Sequence, residues 1–229
     1  MVEIANETAR GRGRPQLRSD EETLGLIVGA AREEFQANGY AGATMSAVAQ
    51  SAGVSTKTLY RLTPNKAELF KSVISEKIGR FMLAFDEEVA SAWDMETAMV
   101  RILVAFGELT LNSETTAIFR LVLSESDRFP EIGQAFYDGA LGRVGEAIAH
   151  WLSEQCRKGL LELEDPCLAA GILRGMMIME PQRAVMMGRR AAPDAGEIAA
   201  RAKTCVALFL KGCKVDPVLP RPPGGTVEK

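Results

Sequence analysis

Histidine is nearly absent from this sequence, which has one, His150, in 229 residues. The four cysteines, Cys156, Cys167, Cys205 and Cys213, are far apart and form no CxxC pair. These spacings exclude the common zinc sites, and a disulfide framework is not expected in a chain of this size. No metal and no cofactor is therefore predicted, and the thiols are expected to be reduced, as they are in the cytoplasm.

Long apolar runs are also missing. No stretch approaches the roughly 20 apolar residues that a bilayer-spanning helix needs, and the N-terminus has no apolar leader core. We therefore expect a cytoplasmic protein without a membrane partner. Hydrophobic residues nevertheless make up 47% of the chain, so it can build a substantial core.

Acidic residues are missing from one window of the chain, although the chain as a whole is slightly acidic. Its 27 basic and 30 acidic residues give a net charge of −3, so a surface for nucleic acid would have to be local. Between Phe35 and Ala67 there is no Asp or Glu, while Lys57, Arg61 and Lys66 all lie there. A basic segment, RGRGRPQLR at residues 10–18, precedes this window. Both features favour a local DNA-binding surface.

Apolar residues recur at helical spacing along nearly the whole chain, and no segment alternates with period two for long enough to predict a strand. The chain is predicted to be all-α, with about nine helices arranged as an N-terminal three-helix domain and a larger C-terminal helical bundle. We expect a flexible basic arm at residues 1–19, a DNA-binding domain at 20–66, a ligand-binding and dimerisation domain at 67–213, and a disordered tail at 214–229.

Several residues mark the expected helix ends. Thr44 and Asp165 are predicted N-caps, and Asp194 with Glu197 resembles a capping box. Asn38-Gly39 is typical of a helix C-terminus and predicts where the first helix ends.

The segment TMSAVAQSAGVSTKTLYRLTPNK, residues 44–66, has the pattern of a helix-turn-helix. Small residues allow two short helices to cross closely, Gly53 permits the turn, and Val54 and Leu59 fix the crossing angle. An ordinary αα-corner would pack in the same way, but the acid-free window and the basic arm favour DNA binding. Hydroxyl and basic side chains that suit groove edges and phosphate oxygens follow the turn: Ser55, Thr56, Lys57, Thr58, Tyr60 and Arg61.

This motif resembles the TetR/AcrR family of bacterial transcriptional regulators. Two later segments, IFRLVLSESDRFPEIGQAFYD and LSEQCRKGLLELEDPCLAAGILRGM, are similar to the AefR-like group of ligand-binding domains. The resemblance implies a homodimer whose two helix-turn-helices enter successive major grooves of operator DNA, and a small-molecule pocket in the C-terminal domain. It also implies phosphate contacts by Thr44, Tyr60 and Lys66, and base-edge contacts by Thr56 and Lys57.

Three positions depart from the family pattern. Leu62 and Thr63 stand where the family has aromatic residues, which predicts looser packing under the recognition helix. Pro181 lies inside a predicted helix, where a proline removes a backbone hydrogen bond and costs about 3 kcal/mol if it is not accommodated. The end of that helix is therefore not fixed by the sequence.

The ligand pocket is predicted from side chains on several C-terminal helices, from the abundance of adaptable methionine and from the resemblance. For each apolar candidate, plain core packing is the alternative, while Arg174 would face either an acidic ligand group or a subunit boundary. The candidates are Phe85, Met99, Leu103, Phe106, Phe119, Leu123, Trp151, Arg174 and Met177.

The last two helices are predicted to pair with their copies in a four-helix dimer interface, because their apolar stripes are wide enough to be buried on two sides. The expected interface residues are Ala169, Leu173, Met176, Ile198, Ala202, Cys205 and Phe209.

Together these features predict a DNA-binding repressor that a small apolar or amphipathic effector releases from its operator. An enzyme is not expected, since there is no nucleophile elbow and RGRGR follows no strand that would make it a phosphate loop. Arg12 and Arg14, within an AT-hook-like Arg-Gly-Arg-Pro sequence, are expected to enter the minor groove beside the operator, or else to add only sequence-independent affinity. One alternative function is an AT-hook-assisted DNA-binding protein without an effector. Redox sensing by the cysteines is another.

Overall fold

The structure is a computed structural model that describes residues 18–90 and 93–213. The predicted minor-groove arginines Arg12 and Arg14 and the predicted tail at 214–229 lie outside these residues. Within them the chain is helical and has no β-strand, which confirms the all-α prediction. No helix in the described ranges is both long and apolar enough to span a membrane.

Ten α-helices and one π-helical segment follow one another along the described residues. They are α1 (Asp20–Gly42), α2 (Met45–Ser51), α3 (Thr56–Leu62), α4 (Lys66–Ala90), α5 (Met95–Leu111), α6 (Ser113–Glu125), α7 (Pro130–Phe136), the π segment (Tyr137–Gly142), α8 (Arg143–Arg157), α9 (Pro166–Met186) and α10 (Ala195–Cys213). Because α7, the π segment and α8 are continuous, they form one rod, and the described part of the chain contains nine rods in agreement with the prediction.

The helix ends follow the predicted caps. Side-chain oxygens of Thr44, Asp165 and Asp194 accept backbone N–H groups in the first turns of α2, α9 and α10. Gly39 has a φ of 69°, and α1 bends there but continues to Gly42. The helix end that the sequence predicted at Asn38-Gly39 is therefore a bend, and the helix ends three residues later.

An aromatic cluster joins the N-terminal three helices to the rest of the molecule. Phe35 and Tyr40 of α1 stack at 5.7 Å between ring centroids, and Phe70 of α4 packs edge-on against both. Phe129, just before α7, packs against Tyr40 at 5.1 Å. The buried core runs through this cluster without interruption, so the N-terminal helices and the C-terminal bundle are packed into one continuous core.

Pro181 is buried inside α9, and the helix continues past it to Met186. A proline at this position leaves the carbonyl of Met177, four residues earlier, without its helical N–H donor. Arg201 of α10 supplies the missing donor, because its Nε lies 2.7 Å from the Met177 oxygen and its Nη2 lies 2.8 Å from the Met176 oxygen. Helix α10 therefore accommodates the proline.

Thr63, one of the two positions where looser packing is predicted, is only 2% exposed, so its small side chain is buried. Its hydroxyl has no hydrogen-bond partner, which is a cost at a buried site. Leu62 packs against the core next to it. The packing at these two positions is thus close and not loose, and its cost is the buried Thr63 hydroxyl that has no hydrogen-bond partner.

Candidate DNA-reading head and effector pocket

Helix α3 presents the outward face that the sequence predicted. Leu59 is fully buried and anchors the helix, while Thr56, Lys57 and Tyr60 are exposed around it. Thr56 and Lys57 lie in the first turn, and the N-terminal residues of a recognition helix are the ones that contact base edges. The geometry of α3 therefore suits insertion into a major groove.

Three of the predicted DNA-binding hydroxyls have structural roles in the free protein. The Thr44 hydroxyl accepts from the Ala47 N–H at 3.2 Å and caps α2. The Ser55 hydroxyl accepts from the Thr58 N–H at 3.0 Å and lies 2.8 Å from the Thr58 hydroxyl. These groups set the start of each short helix, and their contacts with DNA stay predictions.

Arg61, in the last turn of α3, forms a two-pronged ion pair with Asp20, the first residue of α1. Its Nη1 and Nη2 atoms each lie 2.7 Å from one carboxylate oxygen. Both side chains are about half exposed, so the pair is screened by water and contributes little to stability. Its main effect is local: Asp20 neutralises one of the cations that the sequence assigned to DNA, and raises the pKa of Arg61 through a hydrogen bond.

Lys66 points into the protein. Its ammonium group donates to the carbonyl oxygens of Tyr40 at 2.7 Å and Ala43 at 3.0 Å, and lies 4.7 Å from the centre of the Tyr40 ring. Carbonyl groups at a helix C-terminus lack helical partners and attract cations. Lys66 thus ties the end of α1 to the start of α4, and this arrangement leaves its ammonium group occupied, contrary to the predicted phosphate contact.

The acid-free window consequently offers less free charge than its sequence indicates. Lys66 is directed inward and Arg61 is paired with Asp20, so Lys57 is the cation of the window that faces solvent without an ion pair within the described residues. Arg18, which is also exposed, lies at the end of the basic arm beside α1.

Two carboxylates of the C-terminal bundle hold the bend at the end of α1. Glu125, the last residue of α6, accepts from the backbone N–H of Tyr40 at 3.0 Å and of Ala41 at 2.8 Å. Glu131, in the first turn of α7, accepts from the Tyr40 hydroxyl at 3.2 Å. Burial, reinforced by Glu131, raises the pKa of Tyr40. We call this arrangement the Glu125 clamp.

Gly39 makes the clamp possible, because a Cβ atom there would lie 2.6 Å from the Glu125 Oε1 atom. Its left-handed backbone also disfavours any other residue. The bend and the clamp therefore depend on the same glycine.

A group of ion pairs forms a second link between α1 and the bundle. Arg32 of α1 lies 3.0 Å from Glu114 of α6 and 3.8 Å from Glu76 of α4. Glu114 is also 2.8 Å from Lys77 of α4. Lys77 faces the interior cavity that is described next. The ion pairs therefore connect the cavity to helices α1 to α3, which we call the DNA-reading head.

An apolar cavity of about 50 Å³ lies in the C-terminal bundle. Side chains from α4, α5, α6, the α7–α8 rod and α9 enclose it. The lining residues are Ile74, Lys77, Ile78, Phe106, Leu109, Thr110, Thr115, Ile118, Phe136, Ala140, Leu141, Val144 and Arg174. Two cations, Lys77 and Arg174, are the charged members of this lining.

Of the predicted pocket residues, Phe106 and Arg174 line this cavity. Phe119 stands behind its wall and stacks on Phe136. Leu123 is 57% exposed and is a correction, because its side chain points to solvent. The others are core residues that do not contribute to the lining: Phe85, Met99, Leu103, Trp151 and Met177.

The sequence missed the contributions of α4 and of the π segment to the cavity. Ile74 and Ile78 were visible as part of the apolar stripe of α4, but periodicity does not separate pocket residues from core residues. Ala140 and Leu141 line the cavity from the π segment, whose wider turn has no simple sequence signature. π-helical turns are frequent at functional sites, which fits their place here.

The predicted dimer residues also need correction. Ala169, Leu173, Ile198, Ala202 and Cys205 are buried within the single chain, so their side chains pack against the rest of the protomer and leave little surface for a second copy. The exposed apolar stripe of the same two helices lies on their other face, and a role of these helices in a dimer stays a prediction. Its larger members are Leu168, Ile172, Met179 and Leu208. Met176 and Phe209 are partly buried between the two faces.

Two protein-family descriptions match the chain. "Bacterial regulatory proteins, tetR family" matches residues 27–73, and "AefR-like transcriptional repressor, C-terminal domain" matches residues 97–212. A relative, the fatty acid metabolism regulator protein of Bacillus subtilis (strain 168), is 35% identical over 63 residues. That match spans 28% of this chain and 32% of the relative, so the chain covers about a third of the relative's length.

Solved structures of the same fold extend over most of the chain. A TetR-family regulator from Mesorhizobium loti MAFF303099 has a TM-score of 0.75 and 25% identity, covering 86% of this chain and 100% of that one. The flavonoid-responsive regulator FrrA has a TM-score of 0.68 and 23% identity, covering 85% and 98%. FadR from Bacillus subtilis, in complex with stearoyl-CoA, has a TM-score of 0.65 and 21% identity, covering 82% and 97%.

The helix-turn-helix face, the C-terminal bundle and the two family matches agree with one another. The C-terminal match alone covers more than half of the chain, and the N-terminal match contains the reading helix. The chain therefore belongs to the TetR family of bacterial DNA-binding transcriptional regulators, and it carries the C-terminal domain of the AefR-like repressors.

Proposed function

We propose that this regulator is a repressor, and that a small apolar or amphipathic effector releases its dimer from an operator. The observation that carries the proposal is the connection between cavity and reading head. Helices α4 and α6 both line the cavity, and both grip α1, through Lys66 and through the Glu125 clamp. A ligand bound in the cavity would therefore displace α4 and α6, and through them α1, which orients α2 and α3.

The cavity is small for an effector in the present conformation. A single water molecule needs about 10–15 Å³ of such space, so a cavity of about 50 Å³ has room for only a few waters. A larger molecule has to spread the surrounding helices. The π segment, with Gly139 and Gly142, is the wall whose hydrogen bonding departs from a regular α-helix, and we expect it to yield first.

The DNA contacts follow from the exposed face of α3. Thr56 and Lys57 are proposed to read base edges in the major groove, and Tyr60 to contact phosphate. Two reading heads must be about 34–36 Å apart to enter successive major grooves on one side of the duplex. Helix movements that change this spacing would weaken binding without altering a single contact residue.

A second copy of the chain is proposed to pack on the exposed apolar stripe of α9 and α10. Leu168, Ile172 and Leu208 are each more than 50% exposed in the single chain, which is unusual for three large apolar residues on neighbouring helices. A four-helix arrangement would bury this stripe. The two reading heads would then be held at a fixed distance.

An effector moves this equilibrium only by preferring one conformation. Shifting a population from 99:1 to 1:99 requires about 5.5 kcal/mol of preference between the two states. A cavity that is nearly closed in one state and expanded in the other provides such a difference, because the closed state excludes the ligand. Two similar proteins, the fatty acid metabolism regulator of Bacillus subtilis and FadR in complex with stearoyl-CoA, support an effector with a long apolar chain.

The test begins with selection of bound sequences from random DNA, followed by affinity measurements on the enriched site. Filling the cavity with Ala140→Leu should abolish the response to an acyl effector such as stearoyl-CoA and spare DNA binding. Ala98→Leu, at a buried position outside the cavity lining, is the control for overpacking. An Ala140→Leu protein that still releases DNA at the same effector concentration would remove the cavity from the mechanism. If the selection enriches no DNA sequence, the proposal that the protein binds a specific operator is contradicted.

A second candidate function is DNA binding assisted by the basic arm, without an effector. The pairing of Arg61 with Asp20 and the inward position of Lys66 favour it, because they leave few free cations on the described part of the DNA-binding domain, while the sequence RGRGRPQLR supplies four arginines. Deleting residues 1–18 separates the two functions. Abolished binding favours an AT-hook type of protein, whereas a modest loss leaves α3 as the principal reader.

Redox sensing has less structural support. All four cysteines are unpaired, and burial raises the pKa of Cys205 and Cys213, which lowers the fraction of reactive thiolate.

A further inference from the structure

Arg174 lies between two spaces in the C-terminal bundle. On one side is the apolar cavity, and on the other is an open groove of about 320 Å³ that includes Tyr137, Gly145 and Cys167. Arg174 and Leu141 belong to both linings, so they form the wall that the two spaces share. A molecule that entered the cavity from this groove would pass the guanidinium group.

The charge of Arg174 is not neutralised by the protein. Its Nη1 donates to the Leu141 carbonyl at 3.1 Å and its Nε to the Ala170 carbonyl at 3.4 Å, which are uncharged acceptors. Residues 18–90 and 93–213 supply no carboxylate that forms an ion pair with it, although Glu146 lines the same groove. The Arg174 side chain is partly buried, and this burial lowers the pKa of Arg174.

Lys77, the other cation of the cavity, differs on this point. Its ammonium group is 2.8 Å from Glu114 and 3.3 Å from the Thr115 hydroxyl, so its charge is balanced inside the protein. A half-buried guanidinium without a counter-charge is costly unless an anion joins it. Of the two cations, Arg174 is therefore the one whose guanidinium can still donate hydrogen bonds to an anionic ligand.

Gly145 holds the guanidinium in place from the opposite helix. A Cβ atom on Gly145 would lie 2.9 Å from Nη2 and 3.1 Å from Cζ of Arg174, so the planar group rests directly against the glycine backbone. This contact keeps the guanidinium at the wall between cavity and groove. The planar fork of an arginine matches the two oxygens of a carboxylate or phosphate.

We propose that the effector is an anionic amphiphile whose apolar chain fills the cavity and whose carboxylate or phosphate group pairs with Arg174. This inference rests on the proposed function and names the chemical class of its effector. An alcohol of the same chain length would fill the cavity equally well and leave the guanidinium without a partner. Discrimination between the anion and the alcohol is therefore the signature of the site.

The experiment is calorimetric titration of the full-length protein, without DNA, with decanoate, decyl phosphate, decan-1-ol and decylamine. We expect one or both anions to bind at least about tenfold more tightly than the alcohol, and the amine to bind most weakly, because a charge-assisted pair is added or opposed. The carboxylate and phosphate titrations identify which acid group the site prefers. Equal binding of anion and alcohol, or no binding of any probe, would overturn the proposal.

Substitutions assign the discrimination to Arg174. In Arg174→Gln the preference for the anion should fall to about twofold or less, because the ionic partner is gone. Gly145→Ala, which displaces the guanidinium and keeps its charge, should also reduce the preference, and it preserves the test if Arg174→Gln fails to fold. Arg143→Gln, an exposed residue with the same change of charge, should behave as the wild type. Loss of discrimination in Lys77→Gln but not in Arg174→Gln would overturn the assignment.

A parallel DNA-release measurement separates this inference from the function on which it rests. Decanoate that binds with the expected Arg174 dependence but leaves the selected operator bound contradicts effector release and supports the anion site. Release of DNA by decan-1-ol and decanoate at equal concentrations supports effector release and contradicts the anion site.

Discussion

Lys57, Arg61 and Lys66 show how three cations of one sequence window acquire three different roles. Lys57 is exposed on the first turn of α3, Arg61 is paired with Asp20, and Lys66 binds carbonyl groups at the end of α1. Their order along the chain does not distinguish them, because the partners of Arg61 and Lys66 come from α1 and its end, distant in sequence, while Lys57 faces solvent. At the scale of the residue, the function of a charge is decided by what lies next to it.

This difference predicts unequal effects on DNA binding. Lys57→Ala should weaken binding to the selected operator by about 1–3 kcal/mol and relax its sequence preference, as expected for a base-edge contact. Arg61→Ala should cost less, because Asp20 already neutralises that charge, and Asp20→Asn should tighten binding to all sequences. Fluorescence anisotropy on operator and random duplexes measures each value. A larger loss for Arg61→Ala than for Lys57→Ala would contradict the ranking.

Lys66 is predicted to act on stability. Lys66→Met keeps the length of the side chain and removes the charged donors, so the free energy of unfolding should fall by about 2 kcal/mol. Urea denaturation followed by circular dichroism measures this fall, with Lys57→Met as the exposed control. Since Lys66 is not free for phosphate, the slope of log affinity against log salt should stay unchanged. If the slope in Lys66→Met is flatter by about 0.9 per subunit, Lys66 contacts phosphate after all.

At the scale of the element, α6 and the α7–α8 rod connect the cavity to the head. Ile118 of α6 and Phe136 at the end of α7 line the cavity, while Glu125 and Glu131 on the same helices hold Tyr40. A packed helix moves as a unit, so a displacement at one end reaches the other. The Glu125 clamp is thus placed to pass on any expansion of the cavity.

The clamp predicts a local effect on backbone protection. Glu125→Ala removes both acceptors from the Tyr40 and Ala41 amides, so hydrogen exchange at these two positions should become faster, while exchange in α9 stays the same. Glu131→Gln is the matched control, because Glu131 accepts from the Tyr40 hydroxyl and the two amides stay bound to Glu125. We also expect Glu125→Ala to weaken DNA binding, because the head is held less firmly. Unchanged exchange at both amides would show that Glu125 does not hold the bend.

At the scale of the whole molecule, the exposed apolar stripe on α9 and α10 predicts the assembly. Ile172→Glu combined with Leu208→Glu should give a monomer in analytical ultracentrifugation, since a charge would be buried at the centre of the proposed interface. Leu83→Glu, on an exposed leucine of α4, should leave the assembly unchanged. The monomer should bind a full operator much more weakly, and a half-site about as well as the wild type. A dimer that survives both substitutions would place the interface elsewhere.

The sequence by itself determined the all-α class, the helix-turn-helix and most helix ends. These features depend on local signals: apolar spacing, capping side chains and the glycines at the bend and turn, which act within a few residues of one another. The family pattern in residues 44–66 is equally local, so it was legible without the structure.

Only the tertiary structure decided which faces and charges are available. Leu173 and Leu168 lie on the same helix, but one is 1% exposed and the other 62%, and periodicity alone did not show which of them faces solvent. Pro181 is tolerated because Arg201, from another helix, donates to the freed carbonyl. Arg174 lies at the wall of a cavity because Gly145 leaves room for it. Each outcome depends on a partner distant in sequence, and a local pattern contains no information about that partner.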